Sequence, residues 1–239
     1  MTAARTPKAR PAQGAPPAHL APPAHLAPPA HATPLARPLA GLRLVRLHLA
    51  SRRIPVALAT IAACAVGLRV ALHWPWDTYG ALQLPLIIEA GAATVIAITT
   101  ASPFGEPERA TGRWLPVLRL GTALALTAVA AGALTGAGAG ADLAGGALDV
   151  IRNVAGLTGI GLLCAAVLGG ALAWTGPMTY MVVGAYALYS NWHGPATTTP
   201  WIWPARPPHD VGAALCAGLV FAAGVVLITV RGARDPAGE

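Results

Sequence analysis

The sequence predicts an all-α polytopic membrane protein, a six-helix transmembrane bundle behind a disordered N-terminal tail and an amphipathic interfacial helix. Three observations carry this. Only 10% of the 239 residues are charged and 55% are hydrophobic, whereas roughly 25% of an average soluble domain is charged. So few charges cannot cover a water-facing surface, and lipid is the simpler solvent. Six apolar runs follow residue 53, and the arginines gather in alternate connecting segments.

Residues 1–38 are Pro, Ala and His with a few Arg, and the hexad APPAHL repeats from Ala15. Proline removes backbone donors and no side chain here is bulky enough to build a core. The segment reads as a disordered cytoplasmic tail. His19, His25 and His31 recur every six residues; repeat expansion accounts for them as well as loose metal binding does, and no metal site or cofactor is expected. A cleavable signal peptide would place an apolar core near the start, so none is expected.

In residues 39–53, LAGLRLVRLHLASRR, leucines and Val45 are interleaved with Arg43, Arg46, His48, Arg52 and Arg53. This pattern suits an amphipathic helix on the inner leaflet, with a plain basic anchor as the alternative. Residues 54–234 then hold the six spans. A helix needs about 20 residues to cross a hydrocarbon layer about 30 Å thick. The candidates are Ile54–His73, Tyr79–Ala101, Leu115–Ala137, Val150–Trp174, Pro177–Trp192 and Val211–Val230, the fifth being short.

Arginine bias sets the orientation. With the tail inside, Arg43, Arg46, Arg52, Arg53, Arg109, Arg113, Arg119, Arg231 and Arg234 are inner, while Arg69, Arg152 and Arg206 are outer. Both termini are therefore expected in the cytoplasm. The strong use of Ala, Gly, Pro and Arg fits a high-GC bacterial genome and a bacterial plasma membrane. Trp74, Trp76, Tyr79, Trp192, Trp201 and Trp203 are expected at the outer interface. The Pro-rich loop 191–210 either dips back into the membrane edge or is exposed.

Several function classes are disfavoured. A net charge of +7 could signal nucleic acid, but the basic residues sit at the ends and in one loop, and lysine occurs once, at Lys8. There is no GxxxxGK[ST], HExxH, GxSxG or CxxC motif, so no enzyme is expected. Cys64, Cys164 and Cys216 lie in apolar runs and read as small hydrophobes.

The polar residues inside the spans stand out. Glu89 lies well within the second helix, where a carboxylate costs several kcal/mol unless neutralised, paired or wetted. Its candidate partners are Arg69 and Arg152, and its role is either a structural ion pair or a polar pathway. Arg152 and Asn153 open the fourth span with Asp149 three residues before Arg152, which allows an i,i+3 pair in a capping and interface role. On the third span Ala128, Gly132, Gly136 and Gly140 form a small-residue ridge, read as a helix-packing face. The inner loop SPFGEPERATGRWLPVLR has Pro107 and Gly112 bracketing one polar turn. That turn presents Glu106, Glu108, Arg109 and Arg113, either as a docking knob for a soluble partner or as solvated topology signals.

On these residues the chain resembles the membrane subunit of a bacterial ABC transporter and is similar to type-2 ABC exporter permeases of actinobacteria. SPFGEPERATGRWLP and RNVAGLTGIGLL carry the resemblance, together with the order of elements over residues 39–234. The resemblance implies that LRLVRLHLASRR is the connecting helix and GEPERATGR the coupling helix that touches an ATPase. It implies that NWHGPATTTPWIWPARPPHD is the outer segment between the fifth and sixth helices. The partners implied are a separate ATP-binding subunit, a second permease copy or paralogue, and the bilayer, with no nucleic acid. A non-transporting membrane scaffold or regulatory protein is the alternative.

Overall fold

A computed structural model describes residues 53–100, 115–141, 143, 145–189 and 199–233, without the side chains of Thr78 and Tyr79. The tail, the amphipathic segment 39–52 and the inner loop with Glu106, Glu108, Arg109 and Arg113 lie outside these residues.

Every regular element among the described residues is helical. In chain order they are α1 (Ile54–Ala71), α2 (Thr78–Thr99), α3 (Leu115–Gly138), α4 (Gly146–Leu168), α5 (Thr175–Tyr189) and α6 (Val211–Arg231). Single 3-10 turns cover Gly170–Leu172 and Trp203–Ala205. Five of these helices are long and apolar enough to cross a membrane; α5 is the exception. Its 15 residues extend about 22 Å at about 1.5 Å per residue, short of a hydrocarbon core about 30 Å thick.

Local chemistry explains the boundaries. Pro55 sits in the first turn of α1, where a missing N–H costs nothing. Asp77 accepts from the Gly80 N–H at 2.9 Å and caps α2. The fourth helix starts at Gly146 rather than Val150 and stops at Leu168 rather than Trp174. The stop falls at Gly169, whose φ of 93° lies in the region that glycine tolerates and other residues resist. Asp149 thereby falls in the first turn of α4, where a carboxylate suits the positive end of the helix dipole.

Many large apolar side chains face outward. Val56, Val66 and Val70 of α1 and Leu215, Leu219, Val226 and Val230 of α6 are each more than half exposed. Glu89, Arg152, Asn153 and Thr158 are buried inside. A soluble bundle would reverse this distribution, so the arrangement fits helices solvated by lipid.

Helix α4 occupies the centre and packs against α2, α3, α5 and α6. Its tightest crossing is with α6. A Cβ at Gly159 would stand 2.6 Å from the Phe221 backbone, and one at Gly224 would stand 2.5 Å from the Gly159 carbonyl oxygen. Only glycine lets the two backbones approach so closely. The ridge expected on α3 does not make this contact. Gly132 and Gly136 have nothing within 4 Å of a built Cβ, because α3 packs through Thr122, Ala123, Leu126, Ala130 and Leu134 on another face.

Gly159→Ala is expected to cost about 1–3 kcal/mol, the usual penalty of overpacking. Gly132→Ala should be neutral or slightly stabilising, since alanine is the better helix former. Thermal unfolding followed by tryptophan fluorescence separates the two outcomes.

Candidate functional site

The buried charged residues Glu89 and Arg152, with Asn153, gather in the half of the bundle where α2, α4 and α6 begin and α1, α3 and α5 end, whereas Thr99, Thr100 and Thr122 are buried toward the other end. The threonines show what a polar group does when it has no further role. Thr122, Thr127 and Thr229 each donate to the carbonyl four residues earlier, at 2.7, 2.7 and 2.6 Å, and so satisfy themselves within one helix.

Arg152 behaves differently. It sits one turn after Asp149 and forms a salt bridge with that carboxylate. It also reaches across to the segment before α6, donating to the Pro207 carbonyl at 2.8 Å and the Arg206 carbonyl at 3.1 Å. The planar guanidinium serves several acceptors at once. Asn153, on the same face, donates Nδ2 to Asp149 Oδ2 at 3.4 Å and also hydrogen-bonds Glu89. Glu89 sits in the middle of α2, one turn beyond the in-helix Pro85, and is 1% exposed. Its Oε2 and the Oδ1 of Asn153 have no hydrogen-bond partner.

Arg69 does not join this cluster. It donates to the Ala137 and Ala139 carbonyls at 3.3 and 2.9 Å, so it closes the C-terminal end of α3, where a cation is favoured. The expected Glu89–Arg69 pair is not made. Arg152 and Asn153 are placed beside Glu89, but the salt bridge of Arg152 is with Asp149. The coupling-loop candidates Glu106, Glu108, Arg109 and Arg113 lie outside the described residues.

Residues 199–210 turn inward. Ile202, Trp203 and Pro204 are buried, and Trp203, expected at the interface, is 2% exposed. Its ring stacks on Tyr180 of α5 with centroids 4.4 Å apart, and the Tyr180 hydroxyl donates to the Trp201 carbonyl at 2.5 Å. A Cβ at Gly156 would come within 2.5 Å of the indole, so α4 needs glycine there to admit it. Trp74, Trp76 and Trp201 remain exposed, as interface aromatics should. Sequence reasoning missed the Tyr180–Trp203 contact; the signal available was the apolar triplet Trp201–Trp203 inside a polar, proline-rich loop.

Asp210 ends the segment. Its Oδ1 accepts from the Ala213 N–H at 3.0 Å and caps α6, and Oδ2 pairs with Arg206. The Ala213 N–H first, then Arg206, hold the Asp210 carboxyl below its ordinary value. Among the described residues no cluster of three or more His, Cys, Asp or Glu could hold a metal ion. The whole arrangement fastens one loop to α4 and holds one carboxyl deep in the bundle.

Comparison with protein-family models, curated proteins and solved structures finds no match.

Arg152→Lys keeps the charge but loses the fork, and Arg152→Ala also strands the Asp149 carboxylate. Residues 199–210 should be cut faster by added protease in Arg152→Lys and fastest in Arg152→Ala, which should lose about 3–5 kcal/mol as a broken buried pair. The Asp210 cap has the sign of a depressed carboxylate. Its contribution is present above the ordinary aspartate value of about 4 and is lost as pH falls through its lower folded value. Exchange protection of residues 211–214 should therefore be flat from neutral pH down to about 5, fall at lower pH, and be reduced at every pH in Asp210→Ala.

Proposed function

We propose that the chain is the membrane-spanning permease subunit of an ATP-driven transporter of the type-2 ABC exporter kind, in a bacterial plasma membrane. The observation that carries this reading is the pairing of a short α5 with a re-entrant segment. Helix α5 is too short to cross alone, and residues 199–210 fold back against its outer half, with Pro204 near Gly184. This matches the outer segment expected between the fifth and sixth helices of such permeases, and α5 with that segment makes the sixth crossing.

Charge supports the orientation with both termini in the cytoplasm. The arginines at the loop end are engaged within the bundle: Arg152 pairs with Asp149 and Arg206 with Asp210, while Arg69 donates to α3 carbonyls. Arg119 and Arg231 belong to the opposite end, as do Arg109 and Arg113 by sequence, and that end faces the cytoplasm. In this reading a separate ATPase docks on the turn carrying Glu106, Glu108, Arg109 and Arg113. A second copy or a paralogue completes the path.

Exchanging the signs at Glu108→Arg and Arg109→Glu should abolish recovery of the ATPase in a mild-detergent pull-down while membrane insertion is kept. Unchanged recovery would remove the docking role from this turn. A well-folded wild-type bundle with no ATPase bound would favour a membrane scaffold instead.

A further inference from the structure

Four acidic side chains occur among the described residues, and three are accounted for. Asp77 caps α2, Asp149 pairs with Arg152, and Asp210 caps α6 and pairs with Arg206. Glu89 has neither a salt bridge nor a cap among the described residues, although it is the deepest of the four at 1% exposure.

The groups facing it come from α4: Asp149, Arg152 and Asn153. Among the described residues the other neighbours of α2 bring no compensating cation. On α1, Arg69 is turned to the end of α3. On α3, Arg119 lies beside Gly232 at the far end of α6. On α5, Tyr180 donates away to Trp201. Two carboxyls therefore share one guanidinium, and that guanidinium is taken by Asp149. If both carboxyls ionise, one negative charge is left uncompensated in the interior. Beside it lie two acceptor oxygens without donors, Glu89 Oε2 and Asn153 Oδ1, on side chains 1% and 3% exposed. Buried acceptor oxygens without a donor are costly; Arg152 Nε is also without a partner, but its guanidinium is held by the Asp149 carboxylate and the loop carbonyls.

We propose that Glu89 and Asn153 form a binding site for a small alkali cation between α2 and α4. The ligand would lie among Glu89 Oε2, Asn153 Oδ1 and the nearby Asp149, about halfway along α2. Ionisable groups at such depth serve ion and proton sites in other membrane bundles. The inference does not depend on the transporter reading; it holds equally for a scaffold.

The test is thermal unfolding of the full-length purified protein by tryptophan fluorescence, in wild type and Glu89→Gln. Chloride is held constant, sodium, potassium or lithium replaces N-methylglucamine, and pH runs from 6 to 9. Each tenfold rise in a bound ion above its Kd should raise Tm by roughly 3–6 °C. A rise of this size per decade with one alkali ion, absent in Glu89→Gln, supports the site. No alkali effect, with or without a wild-type-to-variant difference that changes with pH, overturns it and leaves a buried carboxyl neutralised by its own proton. If Glu89→Gln does not fold, Glu89→Met replaces it. If neither folds, the wild type alone decides: a concentration-dependent rise in Tm with one alkali ion over the others supports the site, and identical curves in every salt overturn it.

Discussion

Helices that lie in lipid gain little hydrophobic free energy by leaving it for one another, so their association rests on close packing and polar contacts. In this chain both devices are concentrated on α4. Its glycines bring the α6 backbone to van der Waals contact at Gly159 and Gly224, and its first two turns carry Asp149, Arg152 and Asn153. The other helices arrange themselves around it. Leu86, Ala90 and Ala93 of α2 pack on Leu157, and Leu126 and Leu134 of α3 join Val150 and Val154. The valines and leucines of α1 and α6 that point outward need no partner in the chain, because acyl chains serve equally well.

The same constraint governs most of the polar groups. Thr122, Thr127 and Thr229 spend their hydroxyls on their own helices, and a charged group must find a partner close by. Arg152 is central because it satisfies two needs at once. It neutralises Asp149, and it supplies donors to the Pro207 and Arg206 carbonyls, which an inward-turned loop would otherwise bury without partners. The loop in turn brings Trp203 to Tyr180 and Asp210 to the start of α6. One cation on α4 thus couples the position of the loop to the N-terminus of another helix. Glu89 lies next to this network but outside its charge balance, which sets it apart from the other acidic groups.

The short α5 is tied to the same end of the molecule. Gln83 of α2 donates to the Ala185 carbonyl at 3.2 Å, holding α5 where its last turns meet the re-entrant residues. A helix that stops early and a loop that folds back are complementary: the space that α5 does not fill is occupied by Trp203 and Pro204. This complementarity lets a 15-residue helix take part in a bundle whose other members are 18 residues or longer.

Much of the fold was legible in the sequence because hydrophobic length and charge distribution are properties of contiguous residues. Four of the five longer helices appear within two residues of their expected limits, and the Asp149–Arg152 pair follows from i,i+3 spacing. The fourth helix was placed four residues late at its start and six late at its end, because its ends depend on Gly145, Gly146 and Gly169, in a stretch where small apolar residues blur any boundary. The choice of partner was not legible. Arg69 and Arg152 were equal candidates for Glu89 by composition; the lateral order of the helices placed one beside the α3 carbonyls and the other beside Asp149. The ridges on α3 and α4 likewise look alike in one dimension, and only the crossing with α6 selects Gly159. Sequence alone determined which segments are apolar enough to cross a bilayer, since that depends on transfer free energy summed along the chain. Tertiary structure alone decided which glycines touch, which tryptophan is buried and which carboxyl is left without a cation, since those depend on distances between residues far apart in the chain.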